Sequence, residues 1–349
     1  MKLKRFAILM LCLCVVFLAG FSSCRTGPQQ NGNQQGSKPI DVTVAHWGQE
    51  KILIYLPLYV AIDGGFFKEQ GLNVNLKYSG NDDQVFATVI SGSAQFGVGD
   101  PTFTAISREK GGPGKVVAML VGAVANWGVT NKQNIQQIND PSQLDGLRIT
   151  SFPSPSTTFT ILSEIKQTNN LQKMSIKQMA FGTELSALER READLAIVLE
   201  PQASIAESKG YRVVWSVAKY YGPFALTGIT TSDDMIKSNP ETVQKMVNAI
   251  QASLDYIRSH LDETTEIAAR NFPSLDKSVV KNAVTRMTND NSIPADARIS
   301  DDAWRKTLTV RNKVGDLKSI DAGFAAVDNT FAAHALNRDQ KKTTAAGQQ

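Results

Sequence analysis

The sequence FGVGDPTFTAIS, residues 96–107, joins the pattern of a strand to the pattern of a helix through a glycine turn. Two large apolar residues alternate with two glycines, which predicts a short strand. Asp100 then stands where a helix cap belongs, and Pro101 stands at a first helical position. Such strand–turn–helix units often bind phosphate, but Thr102 replaces the third glycine of a dinucleotide fingerprint. We therefore predict one wall of a binding site for a molecule other than a nucleotide.

The same alternation of strands and helices continues on both sides of this unit. Apolar patterns predict strands at 41–47, 72–78 and 115–124, and helical segments lie between them. The alternation begins again after Asn126, and it ends with a further strand in 224–232. This order predicts two α/β units, the first with a mostly parallel sheet and helices on both faces.

Beyond residue 232 the pattern is entirely helical. Asn239 as a cap, Pro240 in the first turn and an apolar stripe predict a long helix that ends near residue 260. Further helices are predicted at 262–271, 276–290, 301–314 and 322–335.

Composition and charge are those of an ordinary globular protein. The chain has 349 residues, of which 42% are hydrophobic and 20% are charged, enough for one large domain or two ordinary ones. Lys2, Lys4 and Arg5 account for most of the net charge of +4, so the rest of the chain is nearly neutral. A neutral body lacks the basic surface that nucleic-acid binding requires.

The N-terminus has the pattern of an export signal over residues 1–23. A basic start precedes an apolar stretch at 6–19, which is shorter than the ~20 residues of a membrane span. Small residues then precede Cys24, an order that resembles a bacterial lipoprotein signal and implies a lipid anchor on Cys24 in the cell envelope. Phe21 departs from the usual aliphatic residue, and ordinary cleavage to a secreted form is the alternative. Residues 24–40 are polar and glycine-rich, which predicts a flexible tether.

Residues that could support catalysis are few. All three cysteines lie within the first 24 residues, so no internal disulfide is expected in the exported chain. His46, His260 and His334 are not spaced as metal ligands, and the segment around Val116 fails as a phosphate loop. We therefore predict no catalytic residue, no metal and no cofactor.

A joint order of short motifs resembles a known family. Residues 44–100 contain PLYVA, GFF, GL, SG and FGVGD in sequence, and DGLRI, VLEP and NPETV follow later. This order is similar to the substrate-binding proteins that serve ABC importers of nitrate, sulfonate, taurine and thiamine precursors. The resemblance, which covers about residues 41–300, implies a monomeric protein that captures a small solute and delivers it to a permease.

The resemblance also implies a type II periplasmic-binding-protein fold with two lobes and a helical C-terminal part. Lobe 1 is expected at 41–125 plus 225–340 and lobe 2 at 126–224, joined by two crossover segments. Ligand in the cleft would touch both lobes only when they are shut, and so would favour closure.

Candidate ligand contacts follow from the rule that ligands bind beyond the carboxyl ends of parallel strands. That rule, applied to both lobes, selects loops on either side of the cleft. The candidates are Trp47, Gly48, Gln49, Asn81, Asp82, Gly99, Asp100, Thr102, Asn126, Trp127, Ser154, Ser156, Thr157, Glu200 and Tyr221.

Several of these residues have a structural alternative. The aromatic residues could pack at lobe edges, Asp82 could face solvent at a helix start, Asp100 could cap a helix, and Glu200 could hold a crossing segment. Gly99 is expected to give a ligand clearance, and Thr102 is the favoured polar contact.

The class of solute stays open between two kinds. Aromatic and acidic residues favour a small heterocycle such as a pyrimidine, whereas the hydroxyls of residues 154–158 favour a sulfonate or carboxylate. These loops contain no arginine and only Lys51 lies near them, which weakens the case for a multiply charged anion. Two other functions are a solute-sensing receptor and an enzyme similar to yeast-type thiamine-pyrimidine synthases. The latter use a cysteine-rich run that is absent after Cys24.

Overall fold

The structure, a computed structural model, describes residues 38–337. The predicted signal peptide at 1–23, Cys24 and the tether up to residue 37 lie outside the described residues. The strands, in chain order, are β1 (Ile40–His46), β2 (Leu72–Tyr78), β3 (Phe96–Gly99), β4 (Lys115–Ala123), β5 (Trp127–Thr130), β6 (Arg148–Ser151), β7 (Ser175–Gln178), β8 (Leu195–Val198), β9 (Arg212–Ser216) and β10 (Pro223–Thr231).

Helices lie between most of these strands and make up most of the chain after β10. In chain order they are α1 (Leu56–Asp63), α2 (Phe66–Glu69), α3 (Asp82–Ile90), α4 (Thr102–Glu109), α5 (Thr157–Thr168), α6 (Glu184–Glu189), α7 (Gln202–Ser208), α8 (Val217–Tyr221), α9 (Asp233–Ser238), α10 (Pro240–Ser259), α11 (Leu261–Asn271), α12 (Lys277–Asn289), α13 (Asp301–Lys313) and α14 (Asp321–Phe324). Short 3₁₀ turns occupy Leu53–Tyr55 and Pro141–Leu144. No helix within residues 38–337 is long and apolar enough to span a membrane.

The strands form two five-stranded sheets. The first has the order β2-β1-β3-β10-β4, and the second has the order β7-β6-β8-β5-β9. In the first sheet β1 runs parallel to β2 and β3, and β10 is inserted antiparallel between β3 and β4. In the second sheet β6 runs parallel to β7 and β8, whereas β5 is antiparallel to both of its neighbours. The predicted α/β class with a mostly parallel first sheet is confirmed.

The chain passes between the sheets twice. It leaves the first sheet through residues 124–126, between β4 and β5, and it returns through α8, between β9 and β10. Lobe boundaries at 125/126 and 224/225 stay a prediction, and β10 begins at Pro223, two residues before the second boundary.

The helical C-terminal part is also confirmed, with one correction. α10 buries the predicted apolar stripe, which includes Val243, Val247 and Leu254, and it packs against α1 and α2. The predicted continuous helix at 322–335 is wrong, because α14 ends at Phe324 and helix resumes only at residue 330. The intervening residues bond to the β4 edge: the Val116 N–H donates to the Ala326 carbonyl at 2.8 Å.

Candidate functional site

Two adjoining cavities lie between the carboxyl ends of strands from the two sheets. The smaller, of about 50 Å³, and the larger, of about 470 Å³, share part of their lining. We call the two together the cleft. The shared residues are Trp47, Ile52, Asp82, Phe152 and Ser156.

Most of the residues predicted from strand ends line the cleft. They come from the ends of β1, β3 and β6, from the start of α3 and from the first crossing. Those lining it are Trp47, Gly48, Gln49, Asn81, Asp82, Asp100, Asn126, Ser154, Ser156 and Thr157.

The cleft also has an apolar lining that was not predicted. Phe152 directly follows β6, just as Trp47 follows β1, so the strand-end rule could have selected it. Tyr55 lies in a 3₁₀ turn and Leu226 in the interior of β10, and the rule selects only residues that follow strand ends. The unpredicted apolar residues are Ile52, Ile54, Tyr55, Phe152, Phe181, Leu199 and Leu226.

An aromatic contact joins the two sides of the cleft. The half-buried Trp47, which follows β1, meets Phe181 edge to face, with ring centroids 5.3 Å apart and planes at 81°. Phe181 in turn contacts Phe152, also at 5.3 Å, and both belong to the second sheet's loops. Trp47 therefore already packs against the opposite side, and its indole forms part of an aromatic wall.

His46 forms a hydrogen bond with the Trp47 backbone without lining the cleft. Its Nδ1 lies 2.6 Å from the Trp47 carbonyl oxygen, which can only accept, so Nδ1 carries the proton. Nε2 then accepts from the Tyr59 hydroxyl at 2.8 Å, and that hydroxyl accepts from the Ile52 N–H at 3.0 Å. Burial lowers the pKa of His46 to about 4, so the ring is neutral at pH 7. His46 lines neither cavity, and both of its ring nitrogens are engaged.

Asp100 is held by a buried set of donors. Its carboxylate lies 2.6 Å from Arg311 Nη2 of α13, and it accepts from the Thr102 N–H at 2.8 Å and the Thr102 hydroxyl at 2.6 Å. The Thr157 hydroxyl, from the opposite sheet's α5, also donates to it. Burial alone would raise the pKa of Asp100, but Arg311 and these hydrogen bonds hold it below its usual range. Asp100 thus orders the start of α4 and contacts the second side of the cleft.

Asp82 is the second carboxyl of the cleft and differs in its partners. Its Oδ1 accepts from the Asp100 N–H at 2.7 Å, and its Oδ2 accepts no hydrogen bond from residues 38–337. Burial, and then the negative charge of Asp100, raise the pKa of Asp82 to about 7. Asp82 lines both cavities, so the alternative that its side chain simply faces solvent at a helix start is wrong.

The structure corrects the expected role of Gly99. Gly99 lines neither cavity, and a Cβ added there would lie 2.8 Å from Asp82 Oδ1. The missing side chain therefore gives clearance to Asp82 rather than to a ligand.

Thr102 and Trp127 also lie outside the cleft lining. The Thr102 hydroxyl donates to Asp100 and accepts from Arg311 Nε at 3.1 Å. The Trp127 indole N–H donates to Asp290 at 2.8 Å, and Trp127 lines a different cavity. Their polar atoms are therefore engaged by the protein, which removes the basis for the expected ligand contacts.

Glu200 and Tyr221 have structural partners as well. Glu200 accepts from Arg286 Nε at 2.6 Å and from the Ser204 hydroxyl at 3.0 Å, so it ties the second sheet to α12. The Tyr221 hydroxyl donates to Glu164 in α5. Neither side chain lines the cleft, so the expectation that Glu200 and Tyr221 contact a ligand is corrected. In each case the side chain instead binds a partner on a helix far away in sequence.

The charges of the cleft lining are negative. The lining residues of both cavities include Glu50, Asp82 and Asp100, and among the described residues they include no lysine or arginine. Lys51 points away and donates to Asn271. Arg311 contacts the cleft carboxylate of Asp100 without lining the cleft, and its hydrogen bonds go to Asp100, Thr102, Thr160 and Asp316.

Comparisons with known proteins agree with this fold. A family model described as "NMT1/THI5 like" matches residues 54–264. The chain is 23% identical over 274 residues to the Bacillus subtilis protein named "Putative binding protein YtlA", a match covering 76% of this chain and 81% of that protein. It is 25% identical over 185 residues to the formylaminopyrimidine-binding protein of Halalkalibacterium halodurans, covering 53% of each chain.

Solved structures share the fold at low sequence identity. The nitrate-binding protein NrtA of Synechocystis matches with a TM-score of 0.67 and 10% identity, covering 86% of this chain and 89% of that chain. The sulphonate-binding protein SsuA of Escherichia coli matches with a TM-score of 0.63 and 12% identity, covering 78% and 86%. The predicted periplasmic-binding-protein-like fold is confirmed. The desulfurization enzyme DSZB has a similar fold, with a TM-score of 0.62 and 14% identity, covering 86% and 99%.

Proposed function

Because the chain belongs to the NMT1/THI5-like family, we propose that it is the extracytoplasmic solute-binding component of an ABC importer. It captures a small organic solute in the cleft and delivers it to permease subunits, as a monomer without cofactor. The observation that carries this proposal is the cleft itself, which is lined by strand-end loops of both sheets.

Contacts across the cleft support a closing mechanism. Thr157 of α5 donates to Asp100 at the end of β3, and Trp47 packs against Phe181. Arg311 of α13 donates to Thr160 of α5 at 2.9 Å. A solute held between these loops contacts both sheets at once, so it stabilises the closed arrangement over an open one.

The binding proposal is tested with the chain from Cys24 onward and a panel of sulfonates, nitrate, pyrimidines and amidines. A bound solute raises Tm in proportion to ln(1 + [L]/Kd). Trp47→Ala is expected to weaken that solute's binding at least tenfold while the unliganded Tm stays within a few degrees. No Tm shift with any member of the panel counts against the proposal, and unchanged affinity removes Trp47 from the site.

We also propose that Cys24 carries a lipid that anchors the protein to the cell envelope. The residues that precede it have the pattern of a lipoprotein signal. In a bacterial host the full chain should sediment with membranes, and Cys24→Ala should release it into the soluble or secreted fraction. Equal partitioning of the two forms would contradict the anchor and leave the binding proposal unaffected.

The enzyme alternative is less well supported. Neither histidine nor cysteine occurs among the described residues that line the cleft, and His46 is committed to Trp47 and Tyr59. Recovery of the bound solute chemically unchanged after prolonged incubation would separate a binding protein from an enzyme. A sensing role would appear as binding without transport when permease genes are supplied.

A further inference from the structure

We propose that the cleft selects a planar solute with a positively charged nitrogen group, which binds Asp82 beside the aromatic wall, and that sulfonates and nitrate are rejected. The inference rests on the proposed function, because it names the class of solute for the same cleft. It differs from the ligands named for the structural neighbours, which are sulphonate and nitrate.

Asp82 is placed to receive a donor from a solute. It stands at the start of α3 and lines both cavities. One carboxylate oxygen is fixed by the Asp100 N–H, and the other accepts no hydrogen bond from the described residues. The carboxyl group is therefore oriented by the protein, and its second oxygen has no hydrogen bond from the described residues at a position that lines the cleft.

No lysine or arginine among residues 38–337 forms an ion pair with Asp82, although the charge of Arg311 lowers its pKa. Arg311 lies behind Asp100 and has all three of its nitrogens engaged by that carboxylate, Thr102, Thr160 and Asp316. Lys51 donates to Asn271 instead. A cationic solute would therefore provide the missing counter-charge, and its N–H groups would form charge-assisted hydrogen bonds.

The aromatic wall favours a flat cation. Phe181 contacts both Trp47, from the opposite side of the cleft, and Phe152, and Tyr55 lies on the cleft lining as well. Aromatic faces attract cations, most strongly when water is excluded, and flat rings bury the most area against them.

An anion would meet the opposite environment. It would lie beside the Asp82 and Asp100 carboxyl groups, and the nitrogens of Arg311, which pairs with Asp100, are already engaged by protein acceptors. The Thr157 hydroxyl at the start of α5 is also engaged, because it donates its only proton to Asp100. Ser156 accepts from the Phe159 N–H at 3.3 Å as a helix cap and keeps its own hydroxyl proton, so the rejection of anions rests on the carboxyl groups and not on Ser156.

The test compares two ligands with one ring and opposite charge: benzamidinium and benzenesulfonate. Binding to the chain from Cys24 onward is measured by calorimetry, with nitrate, taurine and benzyl alcohol as further probes. We expect benzamidinium to bind at least tenfold more tightly than benzenesulfonate. Asp82→Asn should weaken benzamidinium at least tenfold. Asp83→Asn, at the exposed neighbouring position outside both cavities, should leave the affinity unchanged.

A pH series is the second measurement, and it needs no variant. The charged and titratable groups around Asp82 are Asp100 directly after β3, Arg311 behind it, Asp83 on the same helix and Tyr55 on the 3₁₀ turn. Glu50 lines the larger cavity. Since the pKa of Asp82 is raised to about 7, benzamidinium affinity should rise as pH increases through 7. A flat profile would contradict the role of Asp82.

The outcomes separate this inference from the proposed function. Tighter binding of benzenesulfonate, taurine or nitrate than of benzamidinium overturns the cation inference and leaves the solute-binding proposal in place. Tighter binding of benzyl alcohol than of benzamidinium, with no effect of Asp82→Asn, also overturns the cation inference alone. Failure of every probe and of the wider panel overturns both.

Discussion

The Asp100 carboxylate and the Arg311 guanidinium form a buried ion pair, 2.6 Å apart, between residues separated by 211 positions in the chain. Each side chain is only 2% exposed. The pair joins the end of β3 to α13 and, through Thr157 and Thr160, to α5 of the opposite sheet. One ion pair therefore connects three parts of the fold at the edge of the cleft.

Removal of Arg311 should be strongly destabilising. Arg311→Met leaves Asp100 buried with its negative charge uncompensated, and we expect a loss of about 3–5 kcal/mol in the free energy of unfolding. Chemical denaturation measures this loss. Arg298→Met is the matched control, because Arg298 pairs with Asp296 at the surface, and it should cost less than about 1 kcal/mol. Equal effects of the two variants would contradict the buried pair.

His46 should remain neutral well below pH 6. Because its folded pKa is lowered to about 4, the unfolded chain takes up a proton between pH 6.5 and 4 that the folded protein does not. Stability should therefore decrease as pH falls through this range, by up to about 3 kcal/mol. NMR of the imidazole, assigned with His46→Gln, should show a proton on Nδ1 at pH 5. Titration of this ring near pH 6.5 would refute the prediction.

Asp82 should have the opposite effect on stability. Its pKa is raised from 3.8 to about 7, so the folded protein holds a proton that the unfolded chain has lost, and stability decreases as pH rises from 4 to 7. Asp82→Asn removes this penalty. It should raise the stability of the unliganded protein by roughly 1–2 kcal/mol at pH 8, after discounting for solvent in the cavities. The gain should vanish near pH 4, and a gain equal at both pH values would indicate another cause.

Gly99→Ala should displace the Asp82 carboxyl. The new Cβ would lie 2.8 Å from Asp82 Oδ1, so one of the two must move, at a cost of roughly 1–3 kcal/mol in stability. A double-mutant cycle with Asp82→Ala measures the coupling, since removal of the carboxyl should make Gly99→Ala nearly neutral. Additive effects of the two substitutions would show that Gly99 is needed for something other than Asp82.

The fold class could be predicted because each element has its own periodic pattern. β2 alternates along LNVNLKY, and α10 has a continuous apolar stripe. The insertion of β10 between β3 and β4 could not be predicted. Its pairing partners lie about a hundred residues upstream, and the local sequence pattern of a strand does not determine which distant strand it pairs with. The predicted helix at 322–335 failed for the same reason: residues near Ala326 bond to the β4 edge.

The site could be predicted where position alone decides it. Trp47, Asp82 and Asp100 line the cleft because they follow strands or begin a helix at its mouth. Glu200 satisfies the same rule, yet its carboxylate is taken by Arg286. Arg286 and Arg311 lie on amphipathic helices, where a buried arginine has no pattern that distinguishes it from a solvated one.

The late insertion of β10 sets an order for folding. All five strands of the second sheet lie within residues 127–216, so a chain that emerges from its N-terminus can complete that sheet first. The first sheet needs β10, and β4 is joined to it only through β10. β2, β1 and β3 can pair with one another earlier, but β4 must wait for residues 223–231, so the first sheet is completed only after every strand of the second has been synthesised.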